Sequence, residues 1–268
     1  MKTELAPRPQ LELSGPKLRL SFEGLLVRAE EQGGVEAFVA ALKIKSALFR
    51  EALDGNLELK AFRTLCAHMA TVRRRIGRYA EPGFFDEVQP RVNQLLSNLD
   101  SATTDARIAE FCTAFPQDRD HRWVRDLAAE ILHNVDPERY PLMTRWVWDA
   151  RANTGVIREI WHGENVDSMT IPAGDGYATF LMLREELSAY LTQNGVFRDV
   201  LWYVDVLTAQ VYAEYIGERG GTYLRTDFVT PEDPMLHTRR ILGLDGVDAG
   251  GRTRLKAVHG VAEIVGGG

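Results

Sequence analysis

Apolar residues recur every three or four positions along most of this chain, the spacing that gathers them on one face of an α-helix. Phe38, Leu42, Phe49 and Leu53 predict a helix over 35–53, ended by Asp54-Gly55-Asn56. Phe62, Leu65, Met69, Val72, Ile76 and Tyr79 predict a continuous helix over 60–79, stopped by Glu81-Pro82-Gly83. Phe84, Phe85, Val88, Val92, Leu95, Leu96 and Leu99 mark another, with Pro90 kinking or restarting it. Ile108, Phe111, Cys112 and Phe115 mark a fourth, and Val124, Leu127, Ile131 and Val135 a fifth. An aromatic helix with Trp146 and Trp148 is expected after Tyr140-Pro141, then a separate turn or two over 156–161. Two long helices follow, 177–191 and 197–216, split by Asn194-Gly195, and a short one covers 235–242.

The two ends read differently. Leu11, Leu13, Leu18, Leu20 and Phe22 alternate with polar residues around Gly15-Pro16, the pattern of two short strands or an extended arm. Tyr223 to Val229 reads as a strand, and the eight glycines from Gly243 to Gly268 predict a mobile tail. The expected architecture is all-α, a single multi-helix domain of eight or nine helices over 23–220. An extended arm over 1–22 precedes it, and an irregular glycine-rich segment with a short helix follows over 221–268.

Composition supports a globular chain. Of 268 residues 45% are hydrophobic and 26% charged, enough to bury a core without disulfides or metals. Cys66 and Cys112 both fall in apolar helical patterns, which favours buried thiols and a reduced compartment. Met1 to Gln10 is polar with two prolines, unlike a secretory signal, and no stretch is apolar for the length of a membrane span. The expectation is a cytoplasmic protein with no membrane contact. A Walker phosphate loop, a GxGxxG after a strand, HExxH, GxSxG and paired CxxC motifs are all missing. Common nucleotide enzymes, zinc proteases and serine hydrolases are thereby disfavoured.

Charge changes the picture more than composition does. Residues 60–78 carry Lys60, Arg63, Arg73, Arg74, Arg75 and Arg78 with no acid, whereas 159–218 hold ten acids and two arginines. Such segregation bears on association rather than on fold. The two regions either pair with each other or leave the basic helix for an acidic partner. Trp146 and Trp148 stand two apart and cannot share a helix face, so one is expected to be exposed or to line an interface. The leading expectation is therefore a regulatory, adaptor or assembly protein without a cofactor. Its basic helix and these tryptophans would contact an acidic protein surface. The charge asymmetry would also suit self-association.

Two alternatives rest on other residues. Glu130-Ile-Leu-His133 and Glu159-Ile-Trp-His162 are two Glu-x-x-His pairs, each aligning a carboxylate and an imidazole on one helix face. Four-helix di-iron and di-manganese carboxylate proteins use two such pairs plus two further carboxylates, for which Glu110, Glu186 and Glu214 are candidates. That reading implies a helical oxidase or oxygenase holding iron or manganese. Separately, Leu244-Asp245-Gly246-Val247-Asp248 resembles the glycine hairpin of helix-hairpin-helix DNA-binding elements, and Arg252, Arg254 and Lys256 follow it. The resemblance implies phosphate contact, but those hairpins place a second glycine where this chain has Asp248, whose carboxylate repels phosphate. The acidic isoelectric point, near 5.6, also disfavours nucleic acid.

Overall fold

Ser14, Gly15 and Pro16 start the first helix rather than separate two strands. In the computed structural model, which describes residues 10–163, 165–223 and 234–246, α1 spans Gly15–Glu30. The Ser14 hydroxyl accepts from the Lys17 N–H, and proline occupies the first turn, where no N–H is needed. Leu18, Phe22, Leu25 and Ala29 form its buried stripe, while Leu20 is 70% exposed. The expected extended arm is thus corrected over 15–22. Alternation and helical spacing share several positions in so short a window, and the cap decides between them. Residues 12–14 run antiparallel to 160–162 through Ser14 N–H to Ile160 O and His162 N–H to Glu12 O, and residues 1–9 of the expected arm lie outside the described residues.

The chain continues through α2 (Val35–Leu53), α3 (Leu59–Ala67), α4 (Pro82–Leu96), α5 (Thr104–Thr113) and α6 (Trp123–Val135). Then come a one-turn α7 (Val156–Glu159), α8 (Tyr177–Gln193), α9 (Val200–Tyr223) and α10 (Pro234–Ile241). The described residues hold ten α-helices and no sheet, so the fold is all-α. Helix α9 packs against α1, α2, α7, α8 and α10, and α6 against α2, α4 and α5. These two helices carry the core, which is why nearly every residue of α6 from Trp123 to Asn134 is buried.

Two expected helices are corrected. The continuous basic helix ends at Ala67, and 68–76 descends in successive turns to a 3-10 turn over Gly77–Ala80. Hydrogen bonds three and four residues apart persist there, from Val72 N–H and Arg73 N–H to Met69 O and from Ile76 N–H to Val72 O. The apolar stripe Met69, Val72, Ile76 and Tyr79 therefore stays buried although the helix does not continue. The aromatic helix at Trp146 is absent as well. Residues 141–155 are irregular coil and turns, with Asp149 paired across to Thr154. Gly155, at φ +122°, brings its backbone so close that a Cβ would lie 2.7 Å from Val147 O.

The segment 234–246, part of the stretch expected to be irregular with a short helix, is embedded, which corrects the expected mobile tail over 243–246. Met235 and Leu242 are buried, and Thr238 donates to Gln210 Oε1 on α9. Tyr223 to Val229, apart from Tyr223 itself, and the tail beyond 246 lie outside the described residues.

Candidate protein-binding surface

The six basic residues of 60–78 separate into two groups. Arg73 is buried and holds Asp245 through both guanidinium nitrogens, at 2.6 and 3.4 Å. Arg63 is half-buried and donates to Ala80 O at 2.7 Å. Both therefore do structural work. Lys60, Arg74, Arg75 and Arg78 are exposed. Arg75 lies 3.6 Å from the exposed Asp120, a contact of little energetic weight. Arg74 has no hydrogen-bond or ion-pair partner among the described residues. The acids of 159–218 engage other regions instead: Asp199 pairs with Lys43, Asp175 with Arg125 and Glu214 with Arg28.

Arg78 is pinned rather than paired. Its guanidinium carbon lies 4.9 Å above the Tyr79 ring and 5.2 Å above the Phe84 ring, and Nη2 donates to the Tyr79 hydroxyl at 3.0 Å. The same hydroxyl meets His121 Nε2 at 2.9 Å, and His121 Nδ1 meets Asp118 at 2.7 Å. Those contacts with His121 hold the exposed Asp118 below the ordinary carboxyl value. Tyr79 is the hub of an aromatic cluster, with ring centroids 5.3 Å from Phe115, 5.6 Å from Trp123 and 6.0 Å from Phe84. Beside it a groove of about 350 Å³ opens between the start of α4 and the end of α5. Tyr79, Phe84, Val88, Pro90 and Phe115 line it, with Glu87 and Arg91. Arg91 also lacks a partner among the described residues.

Neither tryptophan reaches this surface. Trp146 is 5% and Trp148 0% exposed, so the expected exposed tryptophan is corrected. Both are covered, by different elements. Trp146 tilts against Tyr212 of α9, and Trp148 Nε1 donates to Ala173 O at 3.1 Å.

The two Glu-x-x-His pairs are not gathered into one site. Among the described residues no three His, Cys, Asp or Glu side chains are placed to hold a metal. Glu130 accepts from Lys45 Nζ at 2.8 Å, and His133 lies between the Tyr140 carbonyl, 2.9 Å from Nδ1, and Asp205 Oδ2, 3.1 Å from Nε2. Glu159 is half-buried on α7, and His162 is exposed. Of the candidate extra carboxylates, Glu110 accepts from Gln94, Glu186 is exposed, and Glu214 is bound by Arg28, Ser21 and Gln210. In the hairpin, Asp245 is bound to Arg73; Asp248 and the basic cluster after it lie outside the described residues.

The pair on α6 instead belongs to a buried charge network joining α2, α6 and α9. Burial works against a charged His133, but the Asp205 carboxylate and the Tyr140 carbonyl outweigh it and raise its pKa above 6.5. Burial raises Glu130 above the ordinary carboxyl value despite Lys45. Both groups hold protons more tightly folded than unfolded, so their contribution is present at low pH and lost as pH rises. For His133 it is complete below 6.5 and disappears through the raised folded value. His68 acts oppositely, because burial holds it below 6.5. Comparing wild type with Asp205→Asn isolates His133. The cost of the substitution should be greatest near pH 6 and shrink toward about pH 9. Equal costs in urea titrations at the two pH values would contradict a charged His133.

No family model, curated protein or solved structure matches the chain. The site is therefore read from its own geometry. Sequence spacing located the basic cluster but missed Tyr79, Phe84, Phe115 and Arg91 as its companions. One signal was present: Arg78-Tyr79 and Phe84-Phe85 flank Pro82-Gly83, so a turn brings cation and aromatics together.

Proposed function

We propose that this protein is a binding module that contacts an acidic surface of a protein partner through the arginine face formed by Arg74, Arg75, Arg78 and Arg91. The observation that carries the reading is the open groove beside Tyr79: aromatic rings share its walls with Glu87 and Arg91, and Arg78 lies over the Phe84 ring at its edge. Exposed arginines close to aromatic rings combine the residue types favoured at protein interfaces. The guanidinium of Arg78 is already oriented by its two rings, so less ordering is lost on contact. The buried Glu130 and His133 are engaged with Lys45 and Asp205, which leaves the arginine face as the better-supported site.

Arg74→Glu combined with Arg91→Glu tests it. Both side chains are exposed and unpaired among the described residues, so the variant should keep its melting temperature and circular dichroism. Recovery of partner proteins from the native cell extract, identified by mass spectrometry, should fall at least about tenfold, because placing like charges together at an interface costs several kcal/mol. Raising salt should weaken wild-type capture. Unchanged recovery by a folded variant would overturn the reading.

A further inference from the structure

Three basic side chains converge on the turn that follows α10. Lys45 of α2 donates to Leu242 O at 2.9 Å, His68 Nδ1 reaches Gly243 O at 3.1 Å, and Arg73 holds Asp245 at 2.6 Å. The turn is also pressed onto backbone, since a Cβ on Gly243 or Gly246 would overlap the carbonyls of His68 and Ala67. We infer that residues 242–246 form an acid-sensitive latch, which neutral His68 holds closed and protonated His68 loosens. The latch goes beyond the binding role proposed above and does not depend on it.

The contacts decide which form of His68 fits. A carbonyl only accepts, so the neutral ring carries its proton on Nδ1 and donates to Gly243 O. A second proton must go to Nε2, which has no hydrogen-bond partner among the described residues. The new N–H therefore gains no acceptor there, while the new charge meets Lys45 from α2 and Arg73 from the turns after α3. Asp245, on the turn itself, opposes them, but both guanidinium nitrogens of Arg73 already hold its carboxylate. Glu130 on α6 is likewise engaged, by Lys45. On α10, Arg239 engages Gln32 and the Phe38 ring, and His237 and Arg240 are the remaining basic groups. Burial first, and then the Lys45 charge, hold the half-buried His68 below 6.5.

The direction of the pH effect follows. Opening the turn admits water to the ring and removes the penalty on its charged form. As pH falls below 6.5 the open form binds more protons than the closed one, so closure weakens through that window. Uptake of a single proton limits the change to about tenfold per pH unit. Glu130 and His133 act the other way, because their contribution is retained at low pH. Opening also separates Asp245 from Arg73, which leaves one more guanidinium of the basic segment without its carboxylate.

Hydrogen exchange of the whole chain, followed by NMR between about pH 7.5 and pH 5.5, tests the latch. The N–H groups of Leu242, Gly243, Leu244 and Gly246 bond to the carbonyls of Thr238, Arg240, Arg239 and Gly243, so their protection reports closure. Corrected for the intrinsic pH dependence of exchange and compared with the amides of α8, this protection should fall at least about threefold on acidification. In His68→Asn the side-chain amide can still donate to Gly243 O but does not titrate, and the same protection should stay constant. The wild-type ring gives a second reading, which stands even where the variant does not fold: the NMR titration midpoint of His68 should lie below 6.5. Protection that holds steady in the wild type, or falls equally in His68→Asn, would overturn the latch, as would a midpoint at or above 6.5. None of these readings involves a partner, so the arginine face keeps its separate test.

Discussion

Lys45→Met lowers the free energy of unfolding by about 3–5 kcal/mol, because it strips the counter-charge from a buried carboxylate. Lys45 and Glu130 side chains are 5% and 2% exposed, and the ammonium also donates to Leu242 O at 2.9 Å. One substitution therefore leaves two buried acceptors unmatched. Glu130 already titrates high because of burial, so without Lys45 it takes up a proton rather than remaining an isolated anion. Lys45→Met combined with Glu130→Leu should recover most of the loss, since removing both partners leaves no charge to desolvate. Urea titrations of the two single variants and the double close the cycle. A loss below about 1 kcal/mol for Lys45→Met would show that the pair is solvated and that the network does not hold α2 to α6.

Gly243→Ala is expected to release the C-terminal segment. At φ +70° a Cβ is strained by itself, and at this position it would overlap the His68 carbonyl oxygen, which is backbone and cannot rotate away. His68 Nδ1 reaches Gly243 O at 3.1 Å, and Arg73 holds Asp245 two residues on. Displacing the turn therefore strands a buried guanidinium and the half-buried His68, and it loosens Leu242 against Lys45. The expected cost is about 3 kcal/mol or more, with residues 234–246 becoming sensitive to limited proteolysis before the rest of the chain. Gly55→Ala is the control. Its φ is +113° but nothing lies within 4 Å of a Cβ, so it reports strain without collision, about 1–2 kcal/mol. Equal effects of the two substitutions would show that the close approach to His68 does not hold the segment.

The same turn explains why the basic helix stops where it does. The spacing of Phe62, Leu65, Met69, Val72, Ile76 and Tyr79 is helical, and all six are buried. Yet Gly243 and Gly246 press against the carbonyls of His68 and Ala67, at the end of α3. A partner from 175 positions further along the chain occupies the place where the next helical turn would run. Arg73 consequently turns inward to Asp245, whereas Arg74, its neighbour, stays in solvent. No local pattern distinguishes the two.

The tryptophans carry the same lesson from the other side. Two positions apart, Trp146 and Trp148 would face opposite sides of a lone helix, and one would be exposed. They lie instead in turns enclosed by α9 on one side and the 171–173 loop on the other. On α2, Lys45 falls within the buried run Val35, Phe38, Val39, Leu42, Ser46 and Phe49. That placement was a readable sign of a partnered charge in the core, but its partner Glu130 is 85 positions away.

Hydrophobic spacing and helix caps alone determined the all-α class, the positions of α2, α4, α5, α6, α8 and α10, and the exposed basic cluster near residue 74. These follow from short-range periodicity, which depends on residues only a few positions apart. The tertiary structure decided where α3 ends, which arginine is buried, how Glu130 and His133 are neutralised, and which aromatics wall the groove. Each of these depends on which distant element arrives to cover a face, and a buried charge or backbone group must find its partner there because water is excluded.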